Sequence, residues 1–189
     1  MRRYHDHSTI LASRMNAFVG STSYIDQAQR ATAPILVLGI GNILVSDEGI
    51  GVHVVERLLA SGGVEGASVI DGGTGGFVLL SLFHAYKRIV LVDASNDGKA
   101  PGTVSLLRPR FVHDFPPSLG AHDIGLRDLI VASALTGEIP DIHLITVTAK
   151  DLTQMNMTLS PEVEASIDGV CALVKATVAK LLPLEAVTA

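Results

Sequence analysis

Three side chains that can bind a divalent cation lie at widely separated positions of the 189-residue chain: Glu48, Asp93 and His122. Glu48 follows the apolar stretch ILVLGI and a glycine turn, Asp93 ends the run RIVLVD, and His122 precedes a stretch with helical spacing. Two carboxylates and one imidazole are a suitable ligand set for a first-row divalent metal ion. The sequence therefore predicts a metal site, provided that the fold brings the three residues together.

Each of these residues also has an ordinary structural interpretation. Acids are favourable in the first turn of any helix, which accounts equally for Asp47 and Glu48. Asp93 can cap a turn with its side chain, and His122 can cap a helix or lie on the surface. His113, which lies in the same loop region, is the best substitute for His122. The tail histidines, His5 and His7, are more simply explained as part of a solvated segment.

The elements that must position these residues alternate along the chain. Apolar runs predict five strands, and stretches with apolar residues at intervals of three and four predict the helices between them. The predicted strands are 35–40, 67–70, 89–92, 104–107 and 142–147. One helix is predicted to start near Glu48 and another to span 123–135. Thr74 is predicted to cap a helix that runs to about Tyr86, and Ser160 is predicted to cap the last helix. Alternation of this kind predicts a three-layer α/β/α domain. If the first strand lies between the second and the third, Glu48 and Asp93 flank the crevice beyond the carboxyl ends of the strands.

Composition excludes several classes of protein. Hydrophobic residues make up 48% of the chain and charged residues 17%, as in a compact globular domain. The formal charge of −5 and the lack of a basic cluster argue against a nucleic-acid partner. We find no apolar run of the roughly 20 residues that a membrane helix needs. Cys171 is the single cysteine, which excludes an internal disulfide and is compatible with the cytoplasmic location that we expect.

Residues 1–33 differ in composition from the rest. They are polar, rich in small residues and without a sustained period. Arg2 and Arg3 are not followed by the apolar segment of a signal peptide. We interpret 1–33 as a flexible extension, or as the result of a start site placed too early, and 34–189 as a single α/β domain.

Other chemistries match the sequence less well. Gly39 and Gly41 supply two glycines of a dinucleotide fingerprint and Asp71 ends the second strand as a ribose-binding acid would, but Leu44 replaces the third glycine. There is no G-x-S-x-G or H-E-x-x-H motif. Cys171 lies on an apolar helical stripe, which is the wrong setting for a reactive thiolate.

Several segments in order resemble the hydrogenase maturation endopeptidases, which trim the carboxyl-terminal extension from the large-subunit precursor of NiFe hydrogenase. The resemblance spans roughly residues 35–180. It rests on VLGIGNILVSDEGIGVHVVERL, VIDGGTGGFVLL, IVLVDAS, PGTVSLLRP, GAHDIGLRDLI and LSPEVEASID. The order and spacing of these segments make the resemblance far more specific than a single glycine loop.

The resemblance implies a fold, a site and a partner. The fold is a three-layer α/β/α sandwich around a five-stranded mixed sheet, and we expect 104–107 to be its antiparallel strand. Glu48, Asp93 and His122 match the residues that recognise nickel already inserted in the substrate, and Asp71 matches an acid placed near the cleavage site. The implied partner is the NiFe-hydrogenase large-subunit precursor, which supplies the nickel; no tightly bound organic cofactor is expected.

The chain departs from the family pattern in two places. The first is residues 1–33, and the second is the stretch ITVTAKDLTQMNMTLSP. The second departure bears on which large subunit the protein accepts. Two other functions stay open at this point. One is a non-catalytic nickel-sensing maturation chaperone on the same fold, and the other is a nucleotide-binding regulator.

Overall fold

A five-stranded mixed sheet forms the centre of the protein, which is represented by a computed structural model describing residues 33–110, 114–116, 126–137 and 139–182. Its strands are β1 (Ile35–Gly39), β2 (Ala67–Asp71), β3 (Arg88–Ser95), β4 (Val104–Leu107) and β5 (Asp141–Thr148). The strand order is β2-β1-β3-β5-β4. Strand β1 is parallel to both β2 and β3, β5 is parallel to β3, and β4 is antiparallel to β5. The predicted mixed sheet and its antiparallel strand are confirmed.

Helices cover both faces of the sheet. They are α1 (Ile50–Ala60), α2 (Leu80–Ala85), α3 (Leu126–Thr136), α4 (Pro161–Glu164) and α5 (Ile167–Leu181). Two 3-10 helices, Ser46–Gly49 and Gly76–Leu79, lead directly into α1 and α2.

Two apolar cores lie on opposite faces of the sheet because successive strand residues point to opposite sides. In β1, Ile35 and Val37 belong to the core that also contains residues of α1, α4 and α5. Leu36 and Leu38 belong to the core that contains residues of α2 and α3. All four side chains are fully buried, as expected for a strand covered on both faces. The architecture is the predicted three-layer α/β/α sandwich.

The structure corrects several details of the predicted elements. Glu48 does not start an α-helix; it lies in the 3-10 helix that precedes α1. Thr74 caps no helix, because the 3-10 helix before α2 has Gly75 at its amino-terminal cap. Ser160 occupies the cap position of α4, but its side chain makes no capping hydrogen bond there. Strand β3 continues past Asp93 to Ser95.

Two further predictions concern the whole chain. Among the described helices, none combines the length and the apolar character needed to cross a bilayer. Residues 1–32 lie outside the described part of the chain, so the boundary between an extension (1–33) and a domain (34–189) stays a prediction.

Candidate active site

The carboxyl end of β1 is the point at which the strand order reverses. The chain leaves β1 for β2 on one side and later returns to β3 on the other. In an open α/β sheet, the crevice at such a point is the usual ligand site. Two of the predicted site residues, Glu48 and Asp93, lie at this crevice.

Close packing of glycine backbones brings α1 onto the sheet at this crevice. A Cβ atom on Gly51, in the first turn of α1, would collide with the backbone oxygens of Ile40 and Val92. A Cβ atom on Gly39 would collide with the backbone oxygen of Gly51. In a dinucleotide fingerprint, a glycine at position 44 would allow the helix to pack closely on the strand. Here Gly51, within the helix, allows this close contact instead.

Glu48 and Asp93 are both removed from solvent. Glu48 is 2% exposed and Asp93 is 1% exposed. The 3-10 helix that contains Glu48 packs against β3, which contains Asp93. The pKa of Asp93 is raised to about 8, and burial is the main cause. A hydrogen bond of 2.8 Å from the backbone N–H of Ala94 to the Asp93 carboxylate lowers this pKa, and the nearby charge of Glu48 contributes to the increase. The charges of the two acids therefore interact, as a shared cation site requires.

His122, the predicted third ligand, lies outside the described residues, as do its substitute His113 and the tail residues His5 and His7. Within the described ranges, no group of three or more His, Cys, Asp or Glu side chains is arranged to hold a metal ion. The acid pair of Glu48 and Asp93 is thus the part of the predicted ligand set that the structure describes.

Asp71 is the last residue of β2, at the same edge of the sheet. Its side chain is exposed, and its carboxylate accepts a hydrogen bond of 2.7 Å from the backbone N–H of Gly73. The backbone N–H of Gly41 donates to the oxygen of Gly73 at 2.8 Å, so the D-G-G turn is tied to the glycine turn after β1. Asp71 is therefore a solvent-accessible carboxylate at the crevice, in contrast to the two buried acids.

Asp47 is the residue whose role the sequence left undecided. Its side chain is fully buried. One carboxylate oxygen accepts hydrogen bonds from the backbone N–H groups of Lys150 (2.8 Å) and Asp151 (3.1 Å) and from the Ser160 hydroxyl (2.9 Å), and the other accepts from the Ser160 N–H (2.6 Å). Asp47 thus fixes the 150–160 loop against the 3-10 helix that contains Glu48. This explains why the Ser160 hydroxyl does not cap α4.

Comparisons with known proteins agree with this architecture. A family model described as "Hydrogenase maturation protease" matches residues 52–177. The Hydrogenase 2 maturation protease of Escherichia coli (strain K12) is 35% identical over 163 residues, covering 81% of this chain and 98% of that protein.

The chain belongs to the hydrogenase maturation protease family. The hydrogenase expression/formation protein HupD of Bradyrhizobium diazoefficiens is 36% identical over 148 residues, covering 72% of this chain and 76% of that protein. Among solved structures, the hydrogenase maturating endopeptidase HybD from E. coli superposes with a TM-score of 0.68 at 35% identity, covering 77% of this chain and 92% of the other. The resemblance seen in the sequence is confirmed, and the protein is a hydrolase of the endopeptidase class.

The region matched by the family model includes Asp71 and Asp93 and begins just after Glu48. The predicted roles of these residues and of His122 are not tested by family membership, and they stay predictions. Cys171 is buried on α5, and burial raises the pKa of its thiol, so the thiolate needed for nucleophilic attack is disfavoured.

Proposed function

We propose that this endopeptidase removes the carboxyl-terminal extension of a NiFe-hydrogenase large-subunit precursor after nickel insertion, and that it recognises the nickel bound to that substrate. The observation that supports this most directly is the buried acid pair, Glu48 and Asp93, at the crevice where the strand order reverses. The proposal requires His122 to complete the pair as a third ligand.

The electrostatics of the pair favour a cation over an empty site. Two buried carboxylates repel each other and are poorly solvated, which is why the pKa of Asp93 is raised. A divalent cation placed between them would offset both penalties and would displace the proton from Asp93. The acid pair is therefore suited to a nickel ion that arrives with the substrate.

Two carboxylates and one imidazole provide no soft ligand, so free nickel should bind only modestly. The nickel in the precursor brings its own thiolate ligands, and the enzyme's three side chains would complete its coordination. A nickel-loaded precursor would then bind better than an empty one, and cleavage would follow only after metal insertion. The same contact would hold the nearby peptide bond in place for hydrolysis.

Asp71 is the proposed catalytic carboxylate, acting as a general base. It is exposed and lies at the same edge of the sheet as the acid pair, so it can accept a proton from a water molecule that attacks the peptide bond. Its hydrogen bond from the Gly73 N–H holds the carboxylate in one orientation on the D-G-G turn.

The test is to incubate the purified protein with nickel-loaded and nickel-free precursor and to measure the mass of the precursor. We expect loss of a carboxyl-terminal fragment from the loaded precursor only, and no loss with Glu48→Gln, Asp93→Asn or His122→Ala. Glu65→Gln, a change in an exposed acid between α1 and β2, is the matched control and should process normally. Full processing by all three site variants would refute the role of the metal site, and binding without any mass loss would favour the chaperone.

A further inference from the structure

Two segments next to Glu48 form a short parallel ribbon. Val45 and Asn156 pair as an isolated parallel β-bridge. The N–H of Asn156 donates to the oxygen of Leu44 at 3.0 Å, and the N–H of Ser46 donates to the oxygen of Asn156 at 2.6 Å. The sequence departs from the family pattern in this same 145–161 stretch.

The ribbon presents large apolar side chains to solvent. Leu44 is 48% exposed, Met155 is 80% exposed and Met157 is 40% exposed. These three residues flank the bridged pair Val45–Asn156, so exposed apolar side chains lie on both segments of the ribbon. We call Leu44, Met155 and Met157 the apolar ribbon face.

The apolar ribbon face is held firmly relative to the acid pair. The four hydrogen bonds to the buried Asp47 carboxylate fix both ends of the 150–160 loop, and Asp47 is the neighbour of Glu48 in the chain. The N–H of Asp47 also donates to the oxygen of Asp151 at 3.2 Å. A polypeptide whose metal reaches Glu48 would therefore meet the apolar ribbon face at a fixed distance.

We propose that the apolar ribbon face binds apolar side chains of the substrate polypeptide beside its metal-binding segment, and so contributes to the choice of substrate. This inference rests on the proposed function, since it takes the polypeptide that is cleaved as the occupant. The face is continuous with the acid-pair crevice through residues 44–48, which favours the substrate over an unrelated partner. Exposed methionines adapt to different apolar shapes, as a surface that accepts a polypeptide segment must.

The test compares Met155→Ser/Met157→Ser with the wild-type protein, using the unprocessed large-subunit precursor. We expect Kd and KM for the precursor to rise by about tenfold, from the loss of two apolar contacts, with kcat changed less than about twofold. Met155→Leu/Met157→Leu should restore wild-type values. Leu135→Ser is the matched control, because Leu135 is 82% exposed. It lies near the end of α3, which leads towards the start of β5, at the edge of the sheet opposite the crevice.

The outcomes separate this inference from the proposed function. An unchanged Kd and KM in the serine variant would overturn the role of the apolar ribbon face, even if the wild-type protein cleaves. Failure of the wild-type protein to cleave would refute the proposed function, while weaker precursor binding by the serine variant would still support the face. A change from dimer to monomer in the serine variant, with unchanged Kd, would assign the face to a second copy of the chain and overturn the inference.

Discussion

Replacing Asp93 with Asn should make the protein more stable at pH 8 while abolishing precursor processing. Asp93 is buried, and its pKa is raised from the usual 3.8 to about 8. Between these two values the folded carboxyl stays protonated while the unfolded one ionises, so the folded state binds more protons. The contribution of Asp93 to the free energy of unfolding must therefore fall as the pH rises from about 4 to about 8, and level off above that.

The size of the effect follows from the two pKa values. Each pKa unit corresponds to about 1.36 kcal/mol, so the full difference is about 6 kcal/mol at most. An Asn amide is also polar and costs free energy to bury, which reduces the gain from the substitution. It still accepts the Ala94 N–H through its side-chain oxygen. We therefore expect Asp93→Asn to raise the free energy of unfolding by about 2–5 kcal/mol at pH 8, with the gain shrinking towards pH 4.

Urea unfolding at pH 4.5, 6 and 8, with processing measured on the same samples, tests this expectation. Asp168→Asn places the same change in a side chain that is 82% exposed, and it serves as the control for the loss of one charge. A stability difference between Asp93→Asn and wild type that stays constant from pH 4.5 to 8 would refute the reasoning. So would an Asp93→Asn protein that is less stable than wild type at pH 8.

Three further substitutions test other parts of the account. Asp47→Asn should lower the free energy of unfolding, measured in urea, by about 3 kcal/mol. The NH₂ group of the Asn side chain would replace an oxygen that accepts hydrogen bonds from buried N–H or O–H groups, so donors would face a donor. A change below about 0.5 kcal/mol would contradict this. Gly51→Ala should lower Tm and impair processing, because its Cβ would meet the backbone oxygens of Ile40 and Val92, and an unchanged Tm would show that this contact can relax. Cys171→Ala should retain the wild-type rate of precursor processing, whereas complete loss of cleavage in a folded variant would make the thiol a candidate nucleophile.

The fold was largely predictable because its signals are local. The apolar run of β1 and the helical spacing of α1 predict a strand and a helix from the residues within each element, and the strand order placing β1 between β2 and β3 is confirmed. One error arose because a polar residue has its partner outside its own element. Ser160 was predicted to cap a helix, and its hydroxyl instead donates to Asp47, 113 residues away.

The same distinction separates the predictable part of the site from the rest. Glu48 and Asp93 follow apolar runs whose ends meet at one edge of the sheet, so their proximity could be expected from the strand pattern. The different roles of Asp47 and Glu48 could not be expected, because adjacent acids at a helix start have the same local pattern. The partners of Asp47 lie 103 to 113 residues later in the chain, and only the folded structure identifies them.

The central claim is that Glu48, Asp93 and His122 share one cation, and a crystal soaked in cadmium tests it most directly. We expect one ion bound by an oxygen of each acid and by a ring nitrogen of His122, at distances of roughly 2.0–2.4 Å. Cadmium bound only elsewhere, or a His122 ring too far from the two carboxylates to reach the same ion, would contradict it.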